Sequence, residues 1–371
     1  MGKIDKKSGS EIRNPSFFQS PPFWKTDWDE VNEFLDGLKK GIISEIGKSY
    51  GGRSIRAVSY GEKEPIDRRC SLSTAKFSGF SEHFFDPAKR TRPVVLIIST
   101  IHGAEVEGCA SCINLAHLLE TGKDLLGKKR EELLSLAQQA RVVMVPIAQP
   151  DGRVRSGVRN LIGGSLEDVY YYGHYREPHL KQGEIPTGNL LFENRHFKDI
   201  PLTPDKVERL GGYYNDAGVN IDLDNFLSGN VMPESEALLG LVLEETPEMH
   251  IVLHGHGPGP WIASPNLLIP PFYQSRQIEI GALVAERHRR EGLRPKWHPR
   301  TVQAGEGYFA TVNLPVALHY VSDSLPLAFE FPHGLVKHPY TLEEIIEVGM
   351  TLFEEILRFA VQWRWHCRRY K

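Results

Sequence analysis

Nowhere in the chain do about eighteen apolar residues run uninterrupted, so no segment reads as a membrane-spanning helix. The N-terminal stretch "MGKIDKKSGSEIRNPS" also lacks the apolar core a secretory signal needs, and a cytoplasmic location is the expectation. Cysteine is scarce, four among 371 residues, which excludes a disulfide framework. Cys109 and Cys112 make a single CxxC, but they lie on an apolar helical pattern, where small buried thiols are common. Charge of one sign is lacking too: 44 Lys and Arg stand against 47 Asp and Glu, a net charge of -3. Without a broad pull toward phosphate or anionic lipid, neither nucleic acid nor membrane is expected as a partner. The basic, aromatic tail "QWRWHCRRYK" reads as the end of a packed helix whose cations complement the helix dipole.

What is present is enough apolar material, 40% of residues, to bury a full core. After an arm over residues 1–16, order is expected from "FWKTDWDEVNEFLDGLKKGI", a helix capped by Thr26 or Asp27 with Val31, Phe34, Leu35 and Leu38 on one face. "RSIRAVSYG" and "TAKFSGF" alternate as strands do. Short apolar runs then alternate with helical segments: "PVVLIIST", "EVEGCASCINLAHLLE", "RVVMVPIAQ", "PESEALLGLVLEE", "MHIVLHGH", "QSRQIEIGALVAERHRREG", "LPLAFEFP" and "TLEEIIEVGMTLFEEILRFAVQW". This predicts an α/β fold, one domain over residues 17–371, with a central mixed, largely parallel twisted sheet flanked by helices on both faces. Residues 153–218, rich in glycine, tyrosine and charge, are expected to run over the surface near the working end of that sheet.

Three of the apolar strands end in residues that bind metal or move protons: His102 after "LIISTI", His254 in "IVLH" and Glu330 in "LAFE". In open α/β sheets ligands bind beyond the carboxyl ends of the strands, so these three can converge despite their separation in sequence. Glu105 follows His102 by three residues, a step that points both side chains at one spot. By itself a glutamate there is also what the first turn of a helix favours. Together with His254 the pair makes a His2Glu set, one of the sets that hold catalytic zinc and leave a position for water. Water activated in this way needs a carboxylate to take its proton and deliver it to a leaving nitrogen, and Glu330 is placed for that. The alternative for Glu330 is a buried carboxylate paired with an arginine.

Taken in order, these segments resemble the zinc carboxypeptidase family, the M14 metallopeptidases. "EIGKSYGGRSIRAVSYG" is similar to its "IGxSxEGRxI" opening, "IHGAEVEG" to its HxxE zinc motif, and "PIAQPDG" to "PxxNPDG". "GVNIDLDNF" resembles "GVDLNRNF", "MPESEALLGLVLEE" the "EPETxAL" helix, "MHIVLHGHG" the strand with the third ligand, and "LPLAFEFPHG" the "xTxE" strand. The resemblance implies one Zn2+ per chain held by His102, Glu105 and His254, with His256 a competitor for the third place. It implies Glu330 as general base and acid, Asp222 as the aspartate that orients the first histidine, and Tyr308 as a tyrosine closing over substrate. "ENRHFKD", similar to "NRxWRK", puts Lys198 where an arginine polarises the scissile carbonyl.

One departure bears on the substrate. Where the family reads a terminal carboxylate with an Asn-Arg pair, Asp224 and Asn225 follow in "IDLDNF". A carboxylate at that place repels a carboxylate. Either another cation, Arg153, Arg155 or Arg159 of "PDGRVRSGVRN", replaces the missing arginine and the protein acts as a carboxypeptidase on peptides, or Asp224 reads an amine or amide and the protein is an amidase or deacylase on an acyl-amide without a free C-terminus. A third expectation, from another class, is a zinc-containing binding module without turnover. The sequence leaves the oligomeric state open.

Overall fold

The computed structural model describes residues 14–86, 89–174, 210–296 and 311–363. Seven strands, β1 (Ile42–Lys48), β2 (Ser54–Tyr60), β3 (Val94–Ser99), β4 (Arg141–Val145), β5 (Met249–His256), β6 (Trp261–Ile262) and β7 (Leu325–Pro332), form one sheet in the order β1-β2-β4-β3-β5-β7-β6. The four central strands β4, β3, β5 and β7 pair in parallel, whereas β1 with β2, β2 with β4, and β6 with β7 are antiparallel. Every residue of β3 and β4 is buried, as expected of parallel strands covered on both faces.

Alternate strand residues feed two separate cores, the consequence of a side-chain period of two. Val95, Ile97, Val142, Met144, Ile251 and Leu253 pack with α1 (Trp28–Asp36), α3 (Glu107–Thr121), α4 (Glu131–Gln138), α8 (Pro271–Arg290) and α10 (Leu342–Trp363). Leu96, Ile98, Val143, Val145 and Val252 pack on the other face with α7 (Pro233–Glu245) and α9 (Leu314–Ser322). The remaining helices are α2 (Leu72–Ser78), α5 (Pro150–Ser156) and α6 (Leu166–Gly173). The fold class read from the sequence therefore holds: a mixed sheet, parallel at its centre, between two helical layers.

Three local expectations change. "TAKFSGF" is the helix α2 and not a strand, because Ser71 caps it by accepting from the Thr74 N–H and Gly79, at φ 77°, ends it. Asp27, not Thr26, caps α1: its carboxylate accepts from the Asp29 N–H, while Thr26 is fully buried. The arm expected over residues 1–16 lies outside the described residues up to residue 13. From Pro15 the chain already forms a short 3-10 turn, Pro15–Phe18, whose Phe17 is fully buried.

Candidate metal centre

β3 ends at Ser99, and Thr100 then adopts a left-handed conformation, φ 52°, unusual for a residue with a branched side chain. The turn that follows carries both His102 and Glu105 before α3 begins at Glu107, and the Glu105 N–H donates to the His102 carbonyl at 2.9 Å. Glu105 thus belongs to the turn between strand and helix, one step earlier than the first helical turn expected of it. Gly103 is required there by contact: a Cβ would stand 2.1 Å from both the Arg153 nitrogen and the Gly152 carbonyl carbon. The "IHGAE" and "PDG" motifs are therefore the two sides of one backbone crossing.

Register brings the distant residues to the same end of the sheet. Ser99 of β3 is paired with Leu253 of β5, so His254 lies one step beyond, and His254 is itself paired with Glu330 of β7. His102, Glu105, His254 and Glu330 all stand at the carboxyl ends of adjacent parallel strands.

There the donor atoms converge. His102 Nδ1 is 3.0 Å from Glu105 Oε1 and 3.4 Å from His254 Nδ1, and His254 Nδ1 is 3.3 Å from Glu105 Oε2. Three ligands about 2.0–2.2 Å from one tetrahedral ion stand about 3.3–3.6 Å apart, so two of these separations are those of a zinc cage and the third is slightly shorter. The tautomer of His102 follows from its other neighbour. Asn220 Oδ1 accepts from the Asp222 N–H at 3.0 Å, which fixes the amide oxygen, not its nitrogen, on that side. The same oxygen is 3.1 Å from His102 Nε2, which must then carry a proton, so Nδ1 is the nitrogen that faces Glu105 and His254 and is placed to take a metal. Two nitrogens and a carboxylate converging in a buried space fit Zn2+. His102, Glu105 and His254 are the group of metal-ligating side chains that comes together among the described residues.

The electrostatics agree. Burial alone raises the Glu105 carboxyl, yet the facing His102 and His254 outweigh it and hold Glu105 well below the usual carboxylate range. Burial lowers His254, but Glu105, Glu330 and Asp222 overcome that and lift it to about 10. Without metal the cage therefore keeps a proton, the cation that a metal ion displaces. Glu330, half-buried, is raised to about 7 mainly by burial, with Glu105 adding to it and His254 opposing. A carboxyl poised there exchanges protons readily near neutral pH. The arginine partner that would have made Glu330 a purely structural carboxylate is not found among the described residues.

Other expected site residues fall elsewhere. Asp222 does not orient His102: Asn220, two residues earlier, does. Matching "GVNIDLDNF" to "GVDLNRNF" from the Gly-Val pair puts Asn220 on the family's aspartate, and Asp222 and Leu223 on its Asn-Arg pair. Matching instead on the Asp-Leu pair is what singled out Asp222. Asp224 is bonded into the loop, Oδ1 accepting from the Asn225 N–H and Oδ2 from the Met232 N–H, both at 2.7 Å, and Asn225 is exposed. Neither is set up to read a substrate.

Arg153 is 1% exposed on α5, donating to the Gly103 and Val158 carbonyls at 2.7 and 2.6 Å, with burial pushing its guanidinium down to about 10. Arg155 is bonded to Asp216 and to the Gly211 and Tyr214 carbonyls, and Arg159 to Glu30 and Ser20. These arginines tie the frame together and are not spare cations for a carboxylate. His256 is exposed and stands outside the ligand group. Lys198 and Tyr308 lie outside the described residues. Cys109 and Cys112 are fully buried, and burial pushes the Cys109 thiol up to about 12 and Cys112 well above its ordinary value.

Two features escaped the sequence reading. Tyr213 stacks on the His102 ring, centroids 4.0 Å apart and planes 11° from parallel. A buried pair, His333 Nδ1 to Glu107 Oε1 at 2.8 Å, lies against Gly255, whose N–H donates to Glu105 Oε2 at 3.0 Å. Neither carries a recognisable spacing; only an acidic residue two places after Glu105 and a histidine three after Glu330 hinted at the second.

The other resembling motifs meet at a structural knot. Asp151 of "PDG" accepts from Ser49 Oγ and from Arg53 and the Gly51 N–H of "SYGGR", at 2.6 to 2.9 Å, while Glu234 of "MPESEAL" accepts from the Tyr50 N–H at 3.0 Å.

Residues 36–165 match the family model described as zinc carboxypeptidase, Peptidase_M14. No curated protein matches the sequence. Among solved structures, a metallo-carboxypeptidase from Burkholderia cenocepacia superposes with TM-score 0.55 at 15% identity, covering 89% of this chain and 68% of that one. A metallo-carboxypeptidase from Pseudomonas aeruginosa, in complex with (2-guanidinoethylmercapto)succinic acid, gives 0.53 at 14%, covering 90% and 68%. Bovine thrombin-activatable fibrinolysis inhibitor, in complex with tick carboxypeptidase inhibitor, gives 0.51 at 11%, covering 92% and 99%. At such identities these likenesses speak for the fold. Residues 36–165 thus match the zinc carboxypeptidase family in sequence, and the sheet as a whole has the fold of solved metallo-carboxypeptidases.

Proposed function

We propose that this protein is a zinc-dependent hydrolase that cleaves a peptide or amide bond, a carboxypeptidase-type metallopeptidase in its chemistry. The observation that carries this reading is the convergence of His102 Nδ1, Glu105 and His254 Nδ1 within 3.0 to 3.4 Å, with Glu330 in register beside His254. A bound Zn2+ supplies Lewis acidity and lowers the pKa of water at the cage. Asn220 and the stacked Tyr213 hold the His102 ring, and the Gly255 N–H holds Glu105. Glu330 takes the proton of the attacking water and returns it to the leaving nitrogen, a role that its upward shift to about 7 suits. Lys198 and Tyr308 keep the roles that resemblance gives them, stabilising the oxyanion and closing over substrate.

The test is metal analysis of the purified protein together with hydrolysis of a panel of peptides and acyl-amides. The expected result is one zinc per chain, turnover abolished by a chelator and restored by Zn2+, and Glu330→Gln retaining metal while losing turnover. A folded, zinc-loaded protein that cleaves nothing in the panel would instead make it a binding module.

A further inference from the structure

Asp222 sits in the 3-10 turn Ile221–Leu223 beside the metal cage, and one atom fixes its place: Asn220 Oδ1 accepts from the Asp222 N–H at 3.0 Å and lies 3.1 Å from His102 Nε2. The Asp222 side chain has no comparable anchor. Its Oδ1 is shut off from solvent and has no hydrogen-bond partner among the described residues. Asp224, two residues on in the same loop, has both oxygens bonded to backbone N–H groups. A carboxylate oxygen without a donor is costly and rare in folded proteins, and Asp222 as a whole is half-buried, so its carboxylate is open to a donor from outside.

The register of "GVNIDLDNF" adds a second observation. Counted from Gly218, Asp222 and Leu223 occupy the places of the Asn-Arg pair, so an amide and a guanidinium are exchanged for a carboxylate and an aliphatic chain. Among the described residues, the arginines that follow "PDG", Arg153, Arg155 and Arg159, are committed to carbonyls, Asp216 and Glu30.

We infer that Asp222 is the specificity-determining residue of the substrate's leaving half, and that it receives an ammonium group where relatives of the zinc carboxypeptidase type receive a carboxylate. The inference rests on the hydrolase reading above and narrows its substrate class to acyl-amides of amines that carry a second, cationic nitrogen. In the reaction, water adds across the C–N bond: the acyl half leaves as a carboxylate, the amine half takes the proton from Glu330, and its distal ammonium donates to Asp222 throughout. A terminal carboxylate at the same place meets like charge and is disfavoured.

Three N-acyl probes of one size test this: N-acyl-1,2-diaminoethane, N-acylglycinamide and N-acylglycine, which end in an ammonium, a neutral amide and a carboxylate. Binding is measured by calorimetry to zinc-loaded Glu330→Gln protein, so the readout does not depend on turnover, and kcat/KM is measured on the zinc-loaded wild type. The expected order is diamine, then amide, then acid, with the ends separated on the order of tenfold or more, and Asp222→Asn removes the preference for the diamine. Tighter binding of the acid overturns the inference. So does an order unchanged by Asp222→Asn, or an effect of that substitution confined to zinc content. If the order holds in binding while wild type cleaves none of the three, the hydrolase reading fails and the specificity stands.

Discussion

Asn220 Oδ1 lies 3.1 Å from Nε2 of His102, and through that contact a neutral amide fixes which nitrogen of the histidine faces the metal cage. The partner behind a metal-bound histidine sets ring orientation and basicity, and its loss costs about 10- to 100-fold in metal affinity. Asn220→Ala is accordingly expected to weaken zinc binding within that range. Asn220→Asp, which puts a carboxylate behind the ring, is expected to tighten it. Competition against a chromogenic chelator reads both, and equal dissociation constants for wild type and Asn220→Ala would refute the assignment.

The arginines after "PDG" give a contrast between burial and exposure. Arg153 places two charged hydrogen bonds on carbonyls in a fully enclosed space, including that of Gly103 between the two cage residues of the turn. Arg153→Ala removes both bonds and opens a cavity, and is expected to cost about 3 kcal/mol or more in chemical denaturation. Arg155, with a quarter of its side chain accessible, is expected to cost about 1 kcal/mol at most on truncation. Neither change should alter the ranking of free-acid against amidated substrates; a selective loss for free acids in either variant would restore it as a substrate-reading cation.

Glu330 should make the metal-free protein less stable as pH rises. Its folded pKa, about 7, is above the ordinary carboxylate value of 4.5, so the native state binds the extra proton. Its stabilising effect is full below about pH 4.5 and is lost as pH climbs through about 7. Glu330→Gln, neutral throughout, is expected to be more stable than wild type at pH 8 by about 1–3 kcal/mol, and the difference should close toward pH 4.5. Urea titrations of chelator-treated protein at both pH values check this; a difference of the same size at both would show that titration of Glu330 is not its cause.

How much of this was legible before the fold was known differs by residue, for physical reasons. His102, His254 and Glu330 stood out because each breaks an apolar strand at the end where parallel sheets place their ligands, a pattern that needs no tertiary information. Asn220 did not, because "GVNIDLDNF" has one residue more than the motif it resembles and matches it in two registers; only the contact to His102 chooses between them. Arg153 is offered by the sequence as a spare cation for substrate, whereas its burial comes from a backbone crossing at Gly103, and one residue's neighbours in sequence do not reveal that contact. "TAKFSGF" alternates like a strand over a span too short for periodicity to decide, and Ser71 and Gly79 at its ends were the stronger signal.

Gly255 tests whether the cage can be loosened without touching a ligand. It follows His254, its N–H holds Glu105 Oε2 at 3.0 Å, and a Cβ there would meet His333 Cε1 at 2.4 Å and Glu107 Oε2 at 2.9 Å. Those two groups form a buried ion pair with little room to retreat, so Gly255→Ala must move either the pair or the end of β5. Moving the strand end shifts His254 and the N–H that orients Glu105 together, and zinc affinity is expected to fall on the order of tenfold or more. Gly257→Ala is the control, since its Cβ would meet only the tip of Leu335 at 3.1 Å, a contact relieved by a shift of a few tenths of an ångström. If both variants bind zinc as wild type does, the Glu107–His333 pair yields instead of the strand, and its packing is not what positions the cage.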